Sequence, residues 1–315
     1  MSATKTAPTK EAPRPRATTG RRLQRSGDWA RRTPLLPALI LVVIVTQLPF
    51  VVTIVTSFVK WNAYYPDQRR FAGIDNFTTV LSDPDARHAI VVTVGLTLSV
   101  VVVSLLLGLA IALLLDRKFL GRSVVRTMMI TPFLIVPVAA ALLWKHALYN
   151  PEYGLFDGLL KGVFGDNAPQ VDWIGRFPFF AVMFAIVWQW TPFMMLILLA
   201  GLQSRPLDVV EAAKIDGANA WQIFTKMTLP HLRPYIELAG LLGTIYVVQN
   251  FDHVFTITSG GLGTANLPYY IYQTFYTAHD YGLASAAGVI VVVLTMIVAT
   301  IALRTVFSLF KEESR

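Results

Sequence analysis

The sequence predicts an all-α membrane protein whose chain crosses the bilayer six times. Of its 315 residues, 54% are hydrophobic and only 15% are charged, whereas a soluble domain carries about 25% charged residues. The apolar residues are gathered into runs of about 20 or more, the length that a helix needs to cross the hydrocarbon core. Such runs favour helices over the alternating strands of about 10 residues that form membrane barrels.

Six apolar runs account for the predicted transmembrane helices. They are Leu35–Val59, His88–Leu115, Val124–Leu148, Phe179–Ala200, Tyr235–Ile257 and Leu283–Val306. These runs and their connections make residues 34–315 one membrane domain, preceded by a polar segment of residues 1–33.

Residues 1–33 are expected to form a disordered cytoplasmic tail, because they are too polar to bury a core. The segment holds nine Lys and Arg against Glu11 and Asp28. A solvated tail beside anionic lipid is the simpler interpretation, and a specific binding arm is the alternative. The apolar run that follows is too long for a secretory leader, and no small-residue cleavage site follows it.

The distribution of Lys and Arg predicts which connections face the cytoplasm. With the N-terminus inside, the cytoplasmic segments hold 20 of the 27 Lys and Arg, and the outer connections hold 7. Both termini and the connection of residues 202–234 are therefore expected on the cytoplasmic side. This asymmetry also accounts for the net charge of +8 without a nucleic-acid partner.

The connection of residues 202–234 is too polar for lipid, yet it has the pattern of ordered helices. Gly217 can end a first helix, because glycine adopts the left-handed conformation at low cost. Asn219 followed by Gln222 is similar to a capping box and predicts a second helix, ending at Leu229–Pro230. Two short helices around a glycine break form a structure that can dock in a groove of a partner protein.

Motifs of common enzymes and metal sites are missing from the sequence. The chain has no cysteine, no G-x-x-x-x-G-K-[ST] phosphate loop, and no H-E-x-x-H or G-x-S-x-G motif. Its five His are scattered singly. Gly260-Gly261-Leu262-Gly263 lacks the strand and helix of a nucleotide loop, so we expect an outer turn there. We expect a chain that is not an enzyme and binds no metal or cofactor.

The stretch Glu211-Ala212-Ala213-Lys214-Ile215-Asp216-Gly217-Ala218 resembles the EAA motif of permease subunits in binding-protein-dependent ATP-binding-cassette (ABC) importers. Phe224 and Thr228-Leu229-Pro230 follow it at the spacing of that family. The resemblance implies the type I ABC importer permease fold in a prokaryotic plasma membrane. It also implies that a coupling helix docks on an ATPase subunit through Glu211, Ala212, Ala213, Asp216, Gly217 and Ala218. In the alternative interpretation, Ala212, Ala213 and Trp221 pack against the chain's own helix ends.

Other stretches resemble the carbohydrate branch of that family, specifically its maltose-type first permease. They are Phe71–Phe77, Tyr149–Leu155, Thr258–Gly261, Leu267-Pro268 and Gly282–Ala286. One departure is Gly261-Leu262-Gly263, where the family more often has Gly-Gly-Pro.

The resemblance also implies the partners of the chain. They are a second permease subunit in a heterodimer, two ATPase subunits that bind Mg-ATP, an extracytoplasmic solute-binding protein and the lipid bilayer. ATP hydrolysis then belongs to the partner subunits.

Polar and aromatic residues in the fourth and fifth predicted spans are candidates for a substrate path. Polar groups inside a span are costly, so they tend to mark pathways. A sugar or polyol needs amides that pair with hydroxyls, beside flat apolar faces. The candidates are Trp190 and Phe193 in the fourth span, and Tyr246, Gln249, Asn250 and Asp252 in the fifth.

The resemblance implies that Asn250, Tyr246, Trp190 and Phe193 line the sugar pocket. Alternatively, the aromatic residues belong to an interface belt and the amides bond to neighbouring helices.

The sequence therefore predicts half of the translocation path of a carbohydrate importer, coupled to a separate ATPase. The resemblance of Trp188–Phe193 and Asp116-Arg117 to polyol-type permeases implies a polyol, and disaccharides stay open. A self-sufficient secondary carrier is the alternative, but it needs charge pairs within the membrane and repeated halves. A membrane enzyme needs converging titratable residues, which the scattered His and Asp do not provide.

Overall fold

The computed structural model of the chain describes residues 36–165 and 168–311, the last ten without their side chains. The predicted tail, residues 1–33, lies outside the described residues. Contacts within the chain separate two units at the junction of Val52 and Thr53. The packing described below is that of the second unit, from Thr53 onward.

Helices make up most of the described chain. In order they are α1 (Leu36–Ser57), α2 (Asp75–Ser82), α3 (Pro84–Asp116), α4 (Arg122–Leu134), α5 (Pro137–Leu142), α6 (Leu155–Phe164), α7 (Trp173–Arg176), α8 (Pro178–Gln203), α9 (Leu207–Ile215), α10 (Ala220–Ile223), α11 (Leu229–Val248), α12 (Asp252–Thr258), α13 (Leu267–Tyr272) and α14 (Tyr281–Lys311).

Short π-helical segments, one 3₁₀ turn at Pro66–Gln68 and one small hairpin complete this order. The π-helical segments are Leu143–Leu148 after α5, Phe224–Thr228 after α10 and Gln273–Thr277 after α13. Strands β1 (Val59–Lys60) and β2 (Arg70–Phe71) pair in antiparallel fashion, with Val59 opposite Phe71.

The all-α, multi-span fold is confirmed, but the count of six uninterrupted spans is not. In the described chain, four helices are long and apolar enough to cross a membrane: α1, α3, α8 and α14 as far as Ile301. A fifth span results if α4 and α5 with its π-helical extension are counted together, although they are bent by 97°.

The predicted third span, Val124–Leu148, breaks between α4 and α5. Ile135 and Val136 are extended, with ψ of 136° and 133°. The ring of Pro137 disfavours a helical conformation at the residue before it, which explains the position of the break. Gln189 of α8 is buried and its Nε2 donates to the Ile135 carbonyl at 2.7 Å. The break therefore leaves this carbonyl paired within the protein.

The predicted fifth span, Tyr235–Ile257, is also interrupted. Helix α11 ends at Val248, and three residues separate it from α12. At its other end, α11 follows α10 and the π-helical segment directly, so the predicted helix end at Leu229–Pro230 is wrong. The π-helical turn shifts the hydrogen-bond register just before Pro230, which has no N–H to donate.

The core of the second unit is organised around α8. Its residues Ile186, Met194 and Leu198 are buried, and the helix packs against α3, α4 and α11. Gly108 of α3 allows a close approach of the α3 and α8 backbones, because a Cβ there would lie 2.9 Å from the backbone nitrogen of Met195. Small residues permit such close packing of membrane helices.

The connection from α6 to α8 is fixed by one buried carboxylate. Asp157 of α6 accepts hydrogen bonds from the Val171 backbone N–H and from Trp173 Nε1–H, both at 2.9 Å. Both partners are donors, so a carboxylate with two acceptor oxygens satisfies them completely.

We expect Asp157→Asn to destabilise the folded subunit. The new amide would turn an NH₂ group toward one of the two donors, and a buried donor left unpaired costs about 1–3 kcal/mol. Thermal unfolding of the purified subunit in detergent measures this loss. Glu152→Gln, at an exposed position just before α6, is the control, and equal unfolding temperatures for both variants would contradict the role of Asp157.

Candidate functional site

Helix α9 ends in the glycine turn that the sequence predicts. Gly217 has φ of +86°, in the left-handed region that favours glycine. Its N–H donates to the Lys214 carbonyl at 3.1 Å, and the Ala218 N–H donates to the Ala213 carbonyl at 2.9 Å. Together these bonds form a Schellman motif, which fixes the direction in which the chain leaves α9.

Helix α10 begins with the capping box that the sequence predicts. The Asn219 side chain accepts from the Gln222 N–H, and the Gln222 side chain accepts from the Asn219 N–H, both at 2.8 Å. Reciprocal bonds of this kind satisfy two donors that a helix N-terminus otherwise leaves unpaired. The turn between α9 and α10 is thus held at both of its ends.

The predicted coupling residues lie on the surface of this loop. Glu211, Ala212, Asp216 and Gly217 are exposed, and Ala213 and Ala218 are half-buried. Apolar side chains beside them are exposed as well, at 87% for Ile215 and 71% for Trp221. Ala212 and Trp221 are therefore not covered by the described helix ends, whereas Ala213 is covered in part.

Three of the predicted path residues form one aromatic cluster. The rings of Trp190 on α8 and Tyr246 on α11 stack with centroids 5.4 Å apart. Phe193 meets Trp190 edge to face at 5.6 Å. Phe133 of α4 joins them at 5.6 Å from Trp190 and 5.4 Å from Phe193. We call these four residues the aromatic cluster.

Asn250 lies in the break between α11 and α12. Its Nδ2 lies 3.1 Å from Nδ1 of His253, and its backbone carbonyl accepts from the side chain of Asn266. Its Oδ1 is buried and has no hydrogen-bond partner among the described residues, and the same is true of His253 Nε2. A buried acceptor without a partner can receive a hydrogen bond from a ligand hydroxyl.

Gln249 and Asp252 make different contacts from Asn250. The Gln249 side chain is exposed and donates to the Ile245 carbonyl of its own helix at 3.0 Å. Asp252 is half-buried in the first turn of α12, where the helix dipole favours a carboxylate. Neither residue belongs to the aromatic cluster.

Two residues from other elements contact the predicted path residues but were not themselves predicted. Phe133 belongs to a different predicted span, and Asn266 lies 16 residues beyond Asn250. Asn266 caps α13 by accepting from the Tyr269 N–H at 3.1 Å. The Asn-Leu-Pro pattern at residues 266–268 is a helix-start signal that could have drawn attention to it.

The glycine-rich stretch after α12 is a turn, as expected. Ser259 and Gly260 both have positive φ, and Leu262 and Gly263 have φ of 56° and 73°. Proline is fixed near −65° and can adopt neither value. The departure from Gly-Gly-Pro therefore coincides with a turn that excludes proline at both positions.

A polar pocket of about 600 Å³ lies at the end of α3 opposite Asp116. Asp83, Asp85 and Asp280 line it, and the Tyr270 hydroxyl donates to Asp83 Oδ2 at 2.7 Å. Burial, and then the Asp83 carboxylate, raise the pKa of Tyr270, so this hydroxyl stays a donor at neutral pH. Within the described residues, no group of three or more His, Asp or Glu is placed to hold a metal ion.

A larger apolar groove of about 1020 Å³ does not contain the predicted path residues. Aromatic side chains form much of its wall: Trp144, Tyr149, Phe156, Trp173, Phe184 and Trp188.

Similar proteins are permeases of ABC transporters. A probable ABC transporter permease of Sinorhizobium fredii is 39% identical over 270 residues, which cover 84% of this chain and 85% of that protein. A trehalose/maltose transport system permease of Thermococcus litoralis is 35% identical, covering 83% and 88%. A trehalose transport system permease of Mycobacterium tuberculosis is 35% identical, covering 81% of each chain.

A solved structure shares the fold. It is a bacterial ABC transporter involved in the import of the acidic polysaccharide alginate. The TM-score is 0.77 at 22% identity, and the match covers 91% of this chain and 99% of that chain. This likeness confirms the type I permease fold.

Family membership follows from the sequence itself. Residues 104–310 match the family described as binding-protein-dependent transport system inner membrane component. With the relatives above, this match confirms the resemblance to carbohydrate-branch permeases that the EAA motif and its flanking stretches indicate. The chain belongs to the family of inner membrane components of binding-protein-dependent transport systems.

Proposed function

We propose that this chain is the permease subunit of an ABC importer for a carbohydrate. It forms half of the translocation path, and the loop of α9 and α10 couples that path to a separate ATPase. The observation that carries the proposal is the loop itself: two short helices around a fixed glycine turn, with the apolar side chains of Ile215 on α9 and Trp221 on α10 exposed. A rigid helix with an apolar face fits a groove on a partner.

The orientation follows from charge. The distribution of Lys and Arg favours a cytoplasmic position for both termini and the loop. The contact between Asp116 and Arg205 supports this orientation, because it brings the basic connection of residues 117–126 and the loop to the same end of the helices. An ATPase subunit in the cytoplasm can reach this end of the helices.

The proposed substrate is a sugar or a polyol. Similar permeases carry names that specify trehalose, maltose and sulfoquinovosyl glycerol, so hydroxyl-rich glycosides are the shared chemistry. The aromatic cluster offers flat apolar faces and Asn250 offers an amide. Of the two stretches that favour a polyol over other sugars, only Trp188–Phe193 remains as support. Asp116 forms an ion pair with Arg205 beside the loop, which accounts for this residue without a substrate.

The proposed partners are a second permease subunit, two ATPase subunits that bind Mg-ATP, and a solute-binding protein outside the membrane. A structurally similar alginate transporter was solved in complex with its substrate-bound periplasmic protein, which supports the last of these. Closing of the ATPase pair moves the docked loops, and the helices turn from inward-facing to outward-facing. Substrate and nucleotide act through different affinities for these two states.

A self-sufficient secondary carrier is the competing function. It would rely on charge pairs midway along its spans. Among the described residues, the ion pairs Arg205–Asp116 and Arg233–Glu237 both lie near the loop instead. Uptake by the chain reconstituted alone, with no ATPase present, would favour the carrier.

Crosslinking tests the coupling role directly. The chain has no cysteine, so Ala213→Cys and Ala218→Cys each introduce a single reactive thiol. We expect both variants, in the assembled importer, to crosslink to the ATPase subunit through a short reagent with a maleimide at one end and a photoreactive group at the other. Val163→Cys, at an exposed position on α6, is the control. No crosslink from either loop position, or equal crosslinking from position 163, would refute the docking.

Gly217→Val should impair transport without blocking membrane insertion. An added Cβ at Gly217 meets nothing within 4 Å, so the cost is the left-handed backbone alone, about 1–2 kcal/mol. We expect uptake per ATP hydrolysed to fall several-fold at normal membrane levels.

Two variants control for the Gly217 experiment. Gly217→Asn should retain most activity, because Asn tolerates this conformation. Gly162→Val, on α6 with equal free space, should leave uptake unchanged. Normal coupled uptake by Gly217→Val would count against the role given to this glycine.

Asn250→Leu should reduce uptake about tenfold, because a hydrogen bond to a substrate hydroxyl is worth about 1–1.5 kcal/mol. Gln249→Leu is the matched control, since that amide is directed to its own helix, and its loss should be smaller. Uptake by membrane vesicles with equal amounts of protein measures both. Unchanged transport by Asn250→Leu would remove this residue from the path.

A further inference from the structure

Arg205, just beyond the end of α8, joins three parts of the chain. Its Nε–H donates to the Leu202 carbonyl at 2.9 Å, and its Nη1 donates to Thr228 Oγ1 at 2.9 Å. Its Nη2 forms an ion pair with Asp116, the last residue of α3. One guanidinium therefore connects the ends of α3 and α8 with the segment that leads into α11.

This junction is largely shielded from solvent. The side chains of Arg205 and Asp116 are 14% and 25% exposed, and Thr228 is buried. Charges withdrawn from water interact more strongly than surface pairs. An apolar cluster from α3, α8 and α11 involves the same helix ends: Ala112, Leu115, Met195, Leu198, Leu199, Leu202 and Leu232.

Helix dipoles explain why this pairing of residues is needed. A carboxylate is unfavourable at a helix C-terminus, and Asp116 occupies the last position of α3. Arg205 supplies the compensating positive charge. Its own position next to the C-terminus of α8 is favourable for a cation.

Contacts next to Arg205 also hold the C-terminal end of α8 against the first turns of α11. The Ser204 hydroxyl lies 3.1 Å from His231 Nε2 and 2.9 Å from the Tyr235 hydroxyl. Gly201 is so close to the Tyr235 ring that a Cβ would lie 2.6 Å from its Cγ. Helices packed this closely do not slide past one another independently.

Helix α11 extends from this junction to the predicted path. Its 20 residues span about 30 Å. Thr228 precedes its first residue, while Tyr246 lies near its other end and Asn250 just beyond. A displacement of α11 at the Arg205 junction would therefore also move its other end, which carries Tyr246 of the aromatic cluster.

We propose that Arg205 is the positioning residue that makes the ends of α3, α8 and α11 move as one body with the coupling loop. This rests on the proposed coupling function and names the contact through which the loop acts on the path. Arg205 touches neither substrate nor ATPase in this role.

The test uses the complete importer in proteoliposomes, with uptake and ATP hydrolysis measured together. Arg205→Gln should lower the amount of substrate imported per ATP by about tenfold, the usual size of a coupling effect. Asp116→Asn should do the same. The double variant should lose less than the two single losses combined, because neither charge is then left unpaired.

Two further variants weaken the contacts of Arg205 only in part. Arg205→Lys keeps the charge but cannot hold three partners in a planar fork, so it should give an intermediate ratio. Thr228→Val removes one bond without changing any charge and should give a smaller loss. Both keep the proposal testable if Arg205→Gln fails to reach the membrane.

Crosslinking from Ala218→Cys separates transmission from docking. In the Arg205→Gln background we expect the crosslink to the ATPase to persist while uptake per ATP falls. Glu237→Gln is the control, because it removes an ion pair of similar burial, 27% and 16% exposed, within a single helix. It should leave the ratio unchanged.

The remaining outcomes distinguish failure of this inference from failure of the proposed function. A normal ratio for Arg205→Gln, or additive losses in the double variant, would overturn this inference and leave the proposed function intact. Loss of the crosslink in that variant would show that Arg205 only shapes the docking loop, which also overturns the inference. No crosslink with Arg205 in place would refute the proposed function itself.

Discussion

Every carbonyl group that a helix frees inside a membrane protein must find a donor within the protein, because lipid offers none. In this chain single side chains meet that demand at several helix ends. Gln189 donates to Ile135 at the break between α4 and α5, and Asn266 donates to Asn250 after α11. Lys145 donates to Thr256 in α12 at 2.8 Å. The interrupted helices are therefore fixed features of the fold, and the bends they create place the aromatic cluster and Asn250.

The two ends of α11 have different physical character. Toward the loop, charge and close packing dominate, through Arg205, Ser204 and Tyr235. Toward the break, rings and amides dominate, through Tyr246 and Asn250. In the proposed function, the first kind of contact would transmit force because it resists displacement, and the second kind would suit a substrate that must bind and leave.

Local signals in the sequence predicted local structure well. The Schellman turn at Gly217 and the capping box from Asn219 to Gln222 depend on a few adjacent residues, so their patterns are readable. Hydropathy revealed the apolar runs but not their interruptions: only Pro137 marks one break, and nothing marks the break at Asn250. Contacts between distant residues, such as Phe133 with Trp190 or Asp116 with Arg205, depend on packing that a single sequence does not contain.

Leu262 shows that a residue typical of the family is not always compatible with the local backbone conformation. Its φ of 56° means that its backbone and the neighbouring glycines form one geometric unit. Introducing the family's more frequent proline into this turn would force the turn to rebuild, because Leu262 and Gly263 both have positive φ, although the change would make the sequence look more typical. In chimaeras between such permeases, residues 259–263 have to be exchanged as a block.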